Sequence, residues 1–143
     1  MTELPQRTDE KPGAVFLIDS GSPGETQPLV DLFIDRCRDE QYLEMIKKDY
    51  NPLVNACIKA YCDNRVDLLN RSLQLLSDFQ LKNFNPMIPP SIRPLWEKGI
   101  ESGKYSLKLC GSGGGGMVLG FTPDFDLAKQ ELKDEKITLV YRL

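Results

Sequence analysis

Histidine is absent from all 143 residues, which excludes every Ser-His or Cys-His nucleophile arrangement built from this chain alone. The four cysteines, Cys37, Cys57, Cys62 and Cys110, form no Cys-x-x-Cys pair, so the usual zinc frameworks are missing as well. Three of them fall in helical patterns among apolar residues and are read as reduced core thiols. No metal site is expected. There is no apolar run near the roughly 18 residues that a bilayer crossing requires. The N-terminus, MTELPQRTDEKPG, lacks an apolar signal region, which points to a cytoplasmic protein. A surplus of positive charge is missing too: the net charge is -3 and the pI near 5.0, so no nucleic-acid partner is expected, and without a spanning apolar run no membrane partner is expected either.

What the chain does have is a 41% hydrophobic content, enough for one packed core. Residues 1–12 form a polar lead-in with two prolines, expected to be loose, ahead of a domain over residues 13–143. GAVFLID, Gly13 to Asp19, reads as a strand ended by the turn-like SGSPGE. Thr26 then caps a helix with Leu29, Val30, Phe33 and Cys37 at helical spacing. A second helix follows over about residues 40–49. Asn51-Pro52 reads as an N-cap and first-turn proline, leading into Leu53, Val54, Cys57, Ile58 and Tyr61. Asn64 opens another helix with Val66, Leu69, Leu73, Leu76 and Phe79 on one stripe.

The prolines of NFNPMIPPSIRP interrupt this helical region, and Ser91 is placed to cap a helix running through Trp96 and Ile100 to Gly103. The period then changes. Tyr105–Cys110 and Met117–Phe121 read as strands, Thr122-Pro123-Asp124 opens a helix to about Lys133, and Lys136–Arg142 is a last strand. With the first helical stretch collapsed into one layer, the order is β-α-β-β-α-β. The expected fold is therefore α+β: a ferredoxin-like sandwich of a four-stranded antiparallel sheet and an expanded helical layer.

The strand pair is joined by five glycines and a serine within KLCGSGGGGMVLGF, Lys108 to Phe121. Each glycine costs about 0.5–1 kcal/mol relative to alanine in a regular element, and a plain hairpin needs only one or two. The run formally contains Gly-x-Gly-x-x-Gly, but the dinucleotide fingerprint needs a helix after the glycines, and MVLGF is a strand. The phosphate loop of nucleotide hydrolases fails as well, because no Lys-Ser/Thr follows. What remains is a backbone without side chains in the way, able to offer N–H groups to an anion, with Ser112 and Lys108 as accessory groups. A wide hairpin loop with no ligand is the structural alternative.

KLCGSGGGGMVLGF resembles the third motif of the GHMP kinases, the superfamily of galactokinase, homoserine, mevalonate and phosphomevalonate kinases. Its wording is closest to the mevalonate kinase branch, and FLIDSGSPGETQPLV is similar to that family's Asp-Thr/Ser-Gly segment. The resemblance covers only the C-terminal domain of such an enzyme. It implies phosphoryl transfer from ATP with Mg2+ to a small alcohol, mevalonate first, in partnership with an N-terminal domain carrying the main ATP loop. That loop and the family's catalytic groups have no counterpart in these residues, so no catalytic residue is expected here and the fragment is expected to be inactive alone.

Carried over by the resemblance, Lys108, Gly111, Ser112, Gly113, Gly114 and Gly115 form the phosphate side, with Gly116 serving the turn. Asp19 and Thr26 form the substrate side. One departure stands out: Gly24 and Glu25 precede Thr26 where mevalonate kinases often carry a basic residue, leaving Arg36, Arg38 or the missing domain to compensate. The alternative function is a non-catalytic ligand-binding or regulatory module that keeps this fold.

Overall fold

The computed structural model describes residues 11–21, 26–111 and 113–143, without the side chain of Thr26. Four strands form one antiparallel sheet: β1 Ala14–Asp19, β2 Ser106–Leu109, β3 Met117–Thr122 and β4 Ile137–Arg142, in the order β2-β3-β1-β4. That order is the ferredoxin-like arrangement, with the two halves of the chain interleaved at the central pair. Period-2 alternation sets the faces. Ala14, Phe16 and Ile18 are fully buried, whereas Val15 and Leu17 on the opposite face are half-buried.

The helical layer comprises α1 Thr26–Cys37, α2 Glu40–Met45, α3 Asn51–Cys62, α4 Val66–Asn83 and α5 Arg93–Ser102; α6 Phe125–Glu131 lies between β3 and β4. Phe16, Ile18, Leu107 and Val118 share one core with Ile88, Ile92, Trp96, Phe125 and Leu132. On the other face Val15, Phe121 and Tyr141, paired in register, pack with Cys57, Leu69 and Leu76. Burying a side chain the size of leucine or phenylalanine contributes about 1.5–3 kcal/mol, so these clusters dominate the fold's stability. Trp96, fully buried, keeps its indole satisfied by donating Nε1–H to the Ser77 carbonyl at 2.9 Å.

Several helix boundaries differ from the sequence expectations, each for a local reason. Asn51 does not cap a new helix. A π-helical turn, Ile46–Tyr50, joins α2 to α3, with the Asn51 N–H donating to the Ile46 carbonyl. The wider turn makes room for the Pro52 ring, which would otherwise press on the carbonyl four residues back. Asn64 closes α3 instead of opening α4: its φ is 56°, and the Arg65 N–H reaches back to the Ala60 carbonyl at 2.9 Å.

Near the C-terminus, Thr122 ends β3 and Asp124 caps α6, accepting from the amides of Asp126 and Leu127. Of the four thiols only Cys57 is buried; Cys37 and Cys62 are half-buried and Cys110 is exposed. Ile58, one of the apolar residues at helical spacing in α3, is 56% exposed. At the start of the described chain, the carbonyls of Lys11 and Pro12 accept from Arg142 and from the Phe125 amide, whereas residues 1–10 lie outside the described residues.

Candidate functional site

Antiparallel pairing of β1 with β3 places Asp19 opposite Met117 and so brings the end of the first strand to the exit of the glycine run. The contact continues past the ladder: the Ser20 N–H donates to the Gly116 carbonyl at 2.8 Å. Asp19 turns the chain by accepting the Gly21 N–H on Oδ1 at 2.9 Å, and this carboxylate stays exposed. Two segments almost a hundred residues apart in the chain thus meet at one end of the sheet. Gly24 and Glu25 lie outside the described residues, as do Ser112 and the Thr26 side chain; α1 begins at Thr26.

A third segment completes the site, and sequence reasoning treated it only as a proline interruption. The 3-10 turn Asn85–Met87 and the prolines after it run beneath the loop. The Met87 carbonyl accepts the Gly114 N–H, and the Ser91 hydroxyl donates to the Ser20 carbonyl at 3.0 Å. Ser91 therefore ties this segment to β1 rather than capping α5, which begins at Arg93. No local sequence signal marks Met87 or Ser91 for this role, because it depends on a carbonyl and on a contact 71 residues away.

The glycines are needed for two reasons. Gly111, Gly113, Gly114 and Gly116 all have positive φ, between 59° and 84°. At Gly113 a Cβ would also collide with the Met87 carbonyl and with the Leu109 side chain, whereas at Gly111 and Gly116 it would meet nothing. The Gly113 and Gly114 amides are committed internally, to the Cys110 and Met87 carbonyls. The amides of Gly111, Gly115 and Gly116 have no partner among the described residues.

Lys108 sits on β2 at the base of the loop, where its ammonium donates to the Leu109 carbonyl at 2.8 Å. It has no carboxylate partner among the described residues, which leaves donors available. Burial pushes the nearby Cys57 thiol up to about 11, partly offset by the Lys108 charge, so that thiol stays protonated at neutral pH. Below Gly111 a cavity of about 440 Å3 opens between α1 and the α4–β2 contact, lined by Leu29, Phe33, Gln80, Phe84, Lys108 and Leu109 among others.

Arg36 and Arg38 lie at the far end of α1, about 15 Å along the helix from Thr26 at 1.5 Å per residue. Arg36 donates to the Asn83 carbonyl and Arg38 pairs with Asp35. Neither is held at the Asp19 end of the site. Among the described residues no group of three or more Cys, Asp or Glu side chains could hold a metal ion, and no helix is long and apolar enough to cross a membrane.

The fold and this loop define an α+β sandwich in which a glycine hairpin, a strand end and a proline-rich turn converge. Residues 56–134, more than half of the chain, match the family described as GHMP kinases C terminal. The chain belongs to that family. No curated protein matches at the level of sequence. Among solved structures, it resembles the Lin0012 protein from Listeria innocua at 19% identity with a TM-score of 0.74. It resembles the phosphomevalonate kinase of Streptococcus pneumoniae at 16% and 0.66, and the L. major mevalonate kinase, solved with R-mevalonate, at 14% and 0.71. These alignments cover 90–94% of this chain but only 39–42% of the others, so the chain spans about two fifths of their length.

Proposed function

We propose that this chain is the C-terminal half of an ATP-dependent small-molecule kinase that phosphorylates an alcohol, with mevalonate as the first candidate. The observation that carries the reading is the junction of Ser20 with Gly116, which joins the two motif segments into one surface at the sheet end. Three glycine amides of the loop, those of Gly111, Gly115 and Gly116, have no partner among the described residues, and backbone donors of this kind suit phosphate oxygens. When bound, the nucleotide supplies the transferable phosphoryl group. This chain's own part is positioning and electrostatics: the loop amides and Lys108 on the phosphate side, Asp19 and Thr26 toward the alcohol. For Mg2+ the described residues provide no cluster, so the ion would be held by the phosphates and the N-terminal half.

The second reading, a ligand-binding or regulatory module, draws on one observation: two of the loop's amides, Gly113 and Gly114, are already committed internally. The two readings separate in a reconstituted protein that supplies the N-terminal half in cis or in trans. The kinase reading expects coupled-assay turnover on one member of a panel of mevalonate, phosphomevalonate, homoserine and galactose. It also expects Gly114→Val to reduce that turnover at least a hundredfold, since Gly114 has φ 84°. Retained nucleotide binding with no turnover on any alcohol favours the module.

A further inference from the structure

The glycine loop has little stiffness of its own, so its direction is set where it is anchored. At its exit the anchors are backbone groups, Met87 and Ser20. At its entry the chain leaves β2, an edge strand, and the Leu109 N–H has no neighbouring strand to receive it. A side chain takes that place. Gln80 of α4, 2% exposed, accepts the Leu109 N–H on Oε1 at 2.9 Å.

The other end of the same amide is engaged as well, with Nε2 donating to the Tyr50 hydroxyl at 3.3 Å. Tyr50 closes the π-helical turn, its ring stacked on Phe79 with centroids 5.3 Å apart and edge-on to Phe84 at 4.9 Å. The Leu109 carbonyl is held by Lys108. Both backbone groups of Leu109 are therefore fixed by side chains, on the wall of the cavity beneath Gly111. An apolar residue at position 80 would leave a buried amide N–H without a partner.

We propose that Gln80 is a positioning residue for the glycine loop: with Tyr50 it forms a hydrogen-bond relay from the helical layer to Leu109. This relay sets the direction in which the loop leaves the sheet and hence how the Gly111, Gly115 and Gly116 amides are presented. The proposal rests on the phosphate reading of the loop. It explains a buried glutamine that the alcohol-kinase chemistry does not itself require.

The test uses the 143-residue chain, labelled for NMR, as wild type, Gln80→Met, which keeps the volume, and Gln80→Glu, which keeps the acceptor. Amide exchange at Leu109 and at the glycines is measured against the amides of β1, and magnesium pyrophosphate is titrated against the loop signals. Gln80→Met is expected to speed Leu109 exchange about five- to tenfold and to weaken pyrophosphate several-fold, with β1 unchanged. Gln80→Glu is expected to restore Leu109 protection. Unchanged exchange in Gln80→Met, or altered exchange with unchanged pyrophosphate affinity, overturns the proposal.

If Gln80→Met does not fold, Tyr50→Phe tests the same relay, with a two- to threefold faster Leu109 exchange expected; no change there is equally fatal. If wild type binds no pyrophosphate, the phosphate reading fails by itself. The relay is then decided by whether the glycine amides follow Leu109 in the exchange data.

Discussion

Gly113 and Gly111 share a left-handed backbone but differ in what surrounds them. Replacing Gly113 with alanine adds a Cβ that must displace the Met87 carbonyl, on top of the strain of φ 75°. The expected loss is about 2–4 kcal/mol by chemical denaturation. Gly111→Ala meets open space, so only backbone strain is expected, about 1–2 kcal/mol. A smaller difference between the two would mean that the Met87 contact is not tight in solution.

Glu131 provides a second residue-scale prediction. Hydrogen bonds and charge from Lys104 and Lys98, at 2.6 and 3.0 Å, hold its carboxyl down at about 2. Its pKa is lowered by folding, so the stabilisation is present above the ordinary carboxylate range and disappears as pH falls from about 4.5 towards 2. Glu131→Gln should therefore flatten the stability-versus-pH curve over that window and leave its shape above pH 6 unchanged, as followed by thermal melts.

At the scale of elements, the ends of helices were the least legible part of the sequence. Asn64 and Asp124 are both residues that can cap either end of a helix or make a turn, and their spacing to the next apolar residue does not say which. In Asn64 the backbone is left-handed at φ 56°, so Asn64→Ala should cost about 1 kcal/mol whereas Asn64→Gly should not. Asp124 receives two amides of α6 at 3.1 and 3.2 Å, and Asp124→Ala should lower stability by about 1 kcal/mol in urea unfolding. The strands were far more legible. Their alternation is imposed by burial on one face, which a single residue's slip would invert.

At the scale of the whole molecule, the chain accounts for about two fifths of the length of the solved structures it resembles. The expected consequence is that the purified chain, freed of contaminating kinases, turns over no ATP with any alcohol of the panel. Turnover by the chain alone would overturn the split of roles proposed above. The second sheet face carries an apolar groove of about 310 Å3 between the sheet and α3, lined by Val15, Ile58, Leu73, Phe121 and Tyr141 among others. Exposed apolar surface of this kind favours association at high concentration.

Taken alone, the amino-acid sequence determined the period of each segment, hence four strands, the helical stretch between the first two and the β-α-β-β-α-β order. It also exposed the glycine loop, because that many glycines have no use in a regular element. These are local properties, written in spacing and residue type. Tertiary structure alone decided which groups meet. The pairing of β1 with β3 carried Asp19 and Ser20 to Gly116; the open edge of β2 called on Gln80; and the Met87 carbonyl made Gly113 obligatory. Each of these is a contact between residues distant in the chain, often through backbone groups that every residue possesses, so no residue type could announce it beforehand.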